Sequence, residues 1–154
     1  MHDLVVGNIE KNTEEAILVS LNIPDELKTD FEFKAGQYIT VESVIEGKKT
    51  RRSYSLCAAP YEKRLQVGIK KVVNGVFSNY AFSSLKVGQT LKVNTPEGRF
   101  IHHPQSNPSA IAAFAAGSGI TPIRSILKTR LNADPKNHFN LVYGNKSPKQ
   151  TMFY

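Results

Sequence analysis

The sequence predicts a mainly β chain: an antiparallel barrel or sandwich of six short strands, then an incomplete β–α–β unit. Three observations carry that reading. From residue 4 to about residue 93, short runs of β-forming residues recur between turn residues, with one helical-looking interruption. From residue 110 the pattern changes to an unbroken apolar run, a glycine-rich turn, a helical segment and a second apolar run. Between them, residues 102–108 (HHPQSNP) have the composition of a linker or loop. The chain therefore divides into residues 1–105 and 106–154.

The first strand is expected at residues 4–9. The second, 16–23, alternates Ile17, Val19, Leu21 and Ile23 at the period of a half-buried strand, and Pro24-Asp25 end it. Further strands are expected at 38–44, 50–58, 65–73 and 90–94; closing them into a barrel would remove exposed edges. Gly36 precedes the third strand, where a tight turn needs a positive φ. The Gly36–Tyr38 stretch therefore reads as architecture, with Tyr38 in the core rather than against a ligand. Residues 96–100 (PEGRF) turn the chain out of the β region. Beyond the linker, residues 110–116 (AIAAFAA) read as a strand buried on both faces. After Gly117-Ser118-Gly119, Thr121-Pro122 open a helix over 123–131, since proline suits a first turn. Residues 139–143 form a second buried strand. Such a unit starts a dinucleotide-binding fold, although Pro122 stands where the full G-x-G-x-x-G would place its last glycine.

Composition bounds the function. The 154 residues, 40% hydrophobic and 21% charged, can bury one good core and at most a small second one. The longest apolar run, 110–116, is too short for a bilayer, and MHDLVVGNIEKN lacks the pattern of a secretory signal. Cys57 is the single cysteine, which excludes an internal disulfide and a cluster held by four cysteines. A cytoplasmic location follows as the expectation. His2, His102, His103 and His138 stand at no metal-ligand spacing, so no metal is expected. The net charge of +7 raises nucleic acid as a partner. However, the basic residues are scattered, with short clusters at 48–52 and 70–71 and no aromatic–basic alternation of the single-strand-binding kind. A pyrophosphate ligand or an acidic protein would use that surface equally well.

The chemistry concentrates in residues 51–60, RRSYSLCAAP. Arg52 and Tyr54, two apart on a strand, share one face: a permanent cation with five donors beside a flat ring. Ser55 adds a hydroxyl and a backbone N–H within reach of a ring nitrogen. Phosphate, flat ring and ring nitrogen describe a flavin nucleotide; the alternative is a plain strand with a surface arginine and a half-buried tyrosine. Cys57 falls on the same face as Ser55 and reads as a buried small hydrophobe. Gly68, inside VGIKKV (67–72), marks the close approach of another backbone or a ligand. In NGVFSNYAFSSL (74–85), Asn74-Gly75 turn the chain into a helix whose first N–H groups lack partners. That start suits a phosphate; a capped connecting helix is the alternative.

In this order and at this spacing, RRSYS, VGIKKV, NGVFSNY, PEGRF, AAGSGITP and LVYGN resemble the ferredoxin–NADP reductase family, in particular its flavin-plus-iron–sulfur members. The resemblance implies a six-stranded Greek-key barrel for FAD in residues 1–105 and part of an NAD(P)-binding domain in 106–154. FAD is preferred to FMN because the family's Gly-x-x-Ser turn contacts a pyrophosphate, which FMN lacks. It implies Arg52 at the pyrophosphate, Tyr54 on the isoalloxazine and Ser55 near its N5. Main-chain contacts are implied from Ile69, Lys70 and Lys71, and a pyrophosphate cap from Gly75, Val76, Phe77 and Ser78. Gly117, Gly119, Thr121 and Pro122 would lie under NAD(P)H, and Tyr54, Ser55 and Thr121 would flank the hydride transfer.

The implied activity passes electrons from NAD(P)H through FAD to an iron–sulfur or other one-electron acceptor, a separate protein or a fused domain, with neither nucleic acid nor membrane as partner. Family members continue for several more strands. The chain is therefore expected to be truncated and inefficient in hydride transfer, and its partial second domain to self-associate. Two readings from other classes are a flavin-binding module that does not turn over and a basic nucleic-acid-binding barrel.

Overall fold

The structure, a computed structural model, describes residues 1–101, 103 and 110–154. The boundary expected at 105/106 lies outside the described residues, as does His102. In chain order the elements are β1 (His2–Thr13), β2 (Ala16–Asn22), β3 (Tyr38–Ile45), β4 (Lys48–Ser55), β5 (Leu65–Lys70) and α1 (Val76–Ser83). They continue with β6 (Thr90–Val93), β7 (Ala110–Ala116), α2 (Ile120–Ala133) and β8 (His138–Gly144). The first six strands form one antiparallel sheet in the order β4-β3-β6-β1-β2-β5. Strand β6, last of the six in sequence, lies between β1 and β3, as a Greek key requires. The sheet curls until the chain beyond β4 meets β5: Leu56 bridges Val67, and the Cys57 N–H donates to the Gln66 carbonyl at 2.9 Å. The mainly β architecture expected from the sequence is the one observed.

Two expected strands end early. Regular pairing stops at Ser55 rather than residue 58, and at Lys70 rather than residue 73, because β4 runs out of partner at Tyr38, the first residue of β3, and β5 at Ala16, the first residue of β2. The barrel interior is filled at the predicted alternate positions Ile17, Val19 and Leu21, and by Val67 and Ile69 of β5 among others. Burying a side chain of this size contributes about 1.5–3 kcal/mol. Strand β2 is buried on its other face too: Ala16 and Leu18 join a second cluster with Cys57, Ala113, Ile123 and Met152. That second face was not expected from the alternation, because most of its cover, from Ala113 to Met152, comes more than 90 positions later.

Gly36 holds φ +100°, and a Cβ there would stand 2.0 Å from the Phe100 carbonyl oxygen. The turn before β3 thus needs glycine for both conformation and space. Tyr38 is half-buried beside Gly98 and exchanges two backbone hydrogen bonds with Glu97, both 2.9 Å.

The β7–α2–β8 unit is a parallel pair with a crossover helix, as read from the sequence. Its helix begins at Ile120, three residues before the expected start, after a 3-10 turn at Gly117–Gly119. Burial of both strands on two faces is not what the structure shows. Ala113 is buried and Phe139 and Tyr143 are half-buried, while Ala112, Phe114 and Val142 on the opposite face are exposed, Phe114 at 76%. A single helix and the barrel cover one face of a two-stranded sheet, and no described element covers the other.

Candidate functional site

Strand β4 is an edge of the sheet, and its edge backbone opens into a cleft. Tyr38 and Thr40 on β3 direct backbone groups to the far side: Tyr38 to Glu97, and the Asn94 N–H to the Thr40 carbonyl at 3.1 Å. Their cross-strand partners are Ser55 and Ser53. By antiparallel alternation, Ser53 and Ser55 therefore turn their own N–H and C=O groups away from β3, toward the open edge. Arg52 and Tyr54 pair with Val41 and Ile39, both core residues, and so share the other face. Tyr54 is half-buried against the core with its ring 5.8 Å from that of Phe77. Burial pushes its phenol up to about 12, against the opposing Arg52 charge, so it stays a neutral ring. Arg52 is exposed, with its guanidinium donating to the Arg51 carbonyl at 2.6 Å.

The second wall is the turn into α1. Asn74 takes the left-handed conformation, φ +60°, and Gly75 is the N-cap at φ −76°. Glycine is required at 75 for space rather than conformation: a Cβ would stand 2.4 Å from Ser78 Oγ. The Ser78 hydroxyl accepts from the Val72 N–H at 3.2 Å and donates to the Gly75 carbonyl at 3.3 Å, folding the turn back on the helix start. The N–H groups of Val76, Phe77 and Ser78 have no intrahelical partner.

The third wall is the turn ahead of α2. Gly117 adopts φ +51°, and neither it nor Gly119 would bring a Cβ within 4 Å of another atom, so both expose bare backbone to open space. Tyr143 donates to the Gly117 carbonyl at 2.8 Å, and Thr121 to the Ser118 carbonyl at 2.9 Å. Thr121 is buried: a Cβ at Gly68 would stand 2.9 Å from its methyl and 2.7 Å from Met152 Cε. Gly68 therefore marks where the C-terminal unit packs onto β5.

These walls enclose a cleft of about 590 Å³. It gathers Arg52, Tyr54, Ser55, Lys70, Gly75, Phe77, Ser78, Gly119, Thr121 and Pro122 of the residues singled out from sequence. Four others are not among its lining. Ile69 is in the core, and Val76 turns to the outer side of α1. Lys71 places its ammonium 5.6 Å from the Phe82 ring and commits its backbone N–H to Glu15. Gly117 faces an adjoining cavity of about 950 Å³ that shares Lys70, Val72, Val73 and Ser118 with the cleft. That cavity opens outside the carboxyl ends of β7 and β8, where open α/β sheets bind ligands.

Sequence reasoning missed Ser53, Ser118 and the Val72–Val73 stretch. Ser53 enters because β4 is an edge, a fact of topology. Ser118 was readable as the middle of Gly-x-Gly.

Cys57 is fully buried, and burial pushes its thiol up to about 12, so it is inert at neutral pH. Lys70 Nζ donates to the Gln150 carbonyl at 3.1 Å, tying the cleft's cationic side to the C-terminal segment.

The geometry fits a nucleotide with a flat ring: exposed edge amides, an aromatic face, a cation, a helix start and a bare glycine turn on one cleft. Residues 3–102 match the oxidoreductase FAD-binding domain and residues 114–154 the oxidoreductase NAD-binding domain. The chain belongs to the ferredoxin–NADP reductase family, with FAD- and NAD-binding oxidoreductase domains. It is 35% identical over 153 residues to a component of the 1,2-phenylacetyl-CoA epoxidase of Escherichia coli K12, covering 99% of this chain and 43% of that protein. It also resembles the FAD/NAD-binding domain of nitric oxide dioxygenase from Vibrio cholerae, at TM-score 0.82 and 26% identity. That match covers 98% of this chain and 65% of the other. Phthalate dioxygenase reductase, described as carrying electrons from pyridine nucleotides to [2Fe-2S], matches at TM-score 0.78 and 26% identity, over 99% of this chain and 46% of that one. The chain thus spans less than half the length of the epoxidase component. Among the described residues no helix is long and apolar enough to cross a membrane.

Proposed function

We propose that this chain carries the flavin site of a reductase that passes electrons from NAD(P)H through FAD to an iron–sulfur or other one-electron acceptor, in the cytoplasm. The supporting observation is one cleft lined together by Arg52–Ser55, by Gly75, Phe77 and Ser78 of the turn into α1, and by Ser118, Gly119, Thr121 and Pro122. When bound, FAD supplies the conversion between two-electron and one-electron transfer. The residues supply position and field. Arg52 and the free N–H groups of α1 hold the pyrophosphate, which gives FAD its advantage over FMN. Tyr54, kept neutral by burial, packs against the ring system without competing for protons. The edge amides of Ser53 and Ser55 would hold the polar rim of the ring, and the Ser55 hydroxyl would offer a further hydrogen bond to a ring nitrogen. The bare backbone of Gly117 and Gly119 lets a nicotinamide nucleotide approach, and Thr121 orients it. Phthalate dioxygenase reductase, whose acceptor is [2Fe-2S], supports the choice of acceptor class.

Reconstitution with FAD tests this reading. The purified chain should become yellow, bind FAD with quenched fluorescence, and prefer FAD to riboflavin. A chain that stays colourless after exposure to excess FAD overturns it.

A further inference from the structure

The cleft has walls from two units, and a polar seam joins them one helical turn behind it. Helix α2 starts at the cleft with Thr121 and Pro122. One turn on, about 5.4 Å along the axis, Arg124 and Ser125 meet the chain that leaves Ser55, and Lys128 meets it a turn further along. The Arg124 guanidinium donates to the Cys57 carbonyl at 2.6 Å and lies 4.5 Å over the Phe153 ring. Ser125, fully buried, donates to the Ala58 carbonyl at 2.6 Å. Lys128 Nζ meets Glu62 Oε1 at 2.6 Å, and Glu62 also accepts from the Ala59 N–H at 2.7 Å and from Arg64 at 2.8 Å.

We infer that this seam sets the distance between the cleft's two walls, with Arg124, Ser125 and Lys128 as positioning residues for transfer between a nicotinamide and the flavin; this rests on the proposed function. Three features support it. The carbonyls engaged belong to the second and third residues after Ser55, so a shift of α2 is felt at the β4 wall within three residues. The contacts are directional hydrogen bonds, which fix register where apolar packing alone would tolerate sliding. The packing between them is also tight: Gly68 leaves no room beyond the Thr121 methyl and Met152. Burial alone would raise the Glu62 carboxyl, yet Lys128, the Ala59 N–H and Arg64 together pull it down to about 2, so it stays an anion at the centre of the seam.

None of the three residues lines the cleft, which separates positioning from binding. The 154-residue chain loaded with FAD is compared with Ser125→Ala, Arg124→Met, Lys128→Met and the conservative Lys128→Arg. FAD affinity should stay within about twofold, and dithionite, which needs no docking, should reduce every variant at the parent rate. In single-turnover reduction by NADH and NADPH, the limiting rate should fall about 10–100-fold in Ser125→Ala and Arg124→Met, the scale of a small misplacement of reacting groups. Half-saturation should move less than threefold, and Lys128→Arg should keep the rate that Lys128→Met loses. In the same variants, hydrogen exchange should speed up together at residues 56–59 and 120–123. An unchanged limiting rate, or FAD affinity falling in parallel with it, overturns the inference. If the parent chain shows no saturable reduction, exchange decides: unchanged protection on both segments overturns it. Failure of the parent to bind FAD would instead overturn the proposed function, while the exchange comparison still tests the seam.

Discussion

The barrel and the β7–α2–β8 unit are built on opposite terms. Residues as far apart as Leu4 and Val93 close one interior in the barrel, where Phe31, Phe77, Ile39 and Leu56 are at most 2% exposed. The C-terminal unit has no such interior. Four of its buried residues, Ala113, Ile120, Ile123 and Met152, share a cluster with Ala16, Leu18 and Cys57 of the barrel, and its outer sheet face carries exposed Phe114 and Val142. The barrel is a self-contained core, whereas the second unit gains its burial by docking. A cleft between two such units has one rigid wall and one wall as fixed as its seam.

The sharpest break of that comparison is a pair of aromatic truncations. Phe31→Ala should cost about 3–5 kcal/mol, the usual range for a buried phenylalanine. Phe114→Ala should fall within about 0.5 kcal/mol, as for exposed positions. Urea denaturation measures both. A large loss at Phe114 would mean the outer face is covered in solution.

Arg52→Ala probes the rigid wall. Loss of a charge-assisted contact to the pyrophosphate should weaken FAD binding by about 2–5 kcal/mol, in line with truncated charge pairs. Riboflavin, which lacks phosphate, should bind nearly as before. Equal losses for the two ligands would remove Arg52 from the pyrophosphate.

The seam is probed by acid. Glu62 has a carboxyl lowered from 4.5 to about 2 in the folded chain. A depressed carboxyl contributes stability that is fully present above its unfolded value and is lost as pH falls through the folded one. The stability gap between the parent chain and Glu62→Gln should therefore be widest above pH 4.5 and close as pH approaches 2. A gap constant across that window, by thermal unfolding at successive pH values, would show that Glu62 is not the anion the seam requires.

Most of the barrel was legible because period-two runs such as Ile17, Val19 and Leu21 report one buried face directly. Most of the cleft was legible for a related reason: Arg52, Tyr54, Gly75 and Thr121 sit in short local motifs whose chemistry does not depend on distant chain. What stayed hidden is long-range. The burial of Leu18, the edge position of Ser53 and the pairing of Ser125 with the Ala58 carbonyl, 67 residues apart, depend on topology. The role of Gly68 was half legible: close approach was expected from glycine inside a strand, but the approaching group is the Thr121 methyl and Met152 side chain. The apolar run of β7 misled in one respect. Apolar residues on both faces report what a strand can bury, not what the chain supplies to cover it.

The smallest effect expected on stability is the largest expected on association. Phe114 is 76% and Val142 58% exposed, and the two are adjacent in the β7–β8 register. With Ala112 and Ala116 they make a continuous apolar face flanked by open strand edges, which favours pairing with a second copy. Phe114→Asp should leave the barrel's unfolding transition and FAD binding unchanged while shifting the chain toward monomer. Light scattering at increasing concentration reads the shift. A parent chain already monomeric across the range would show that this face, though apolar, is too small to hold a dimer. An association that survives Phe114→Asp would move the contact elsewhere, most directly to the barrel's own edge at β4.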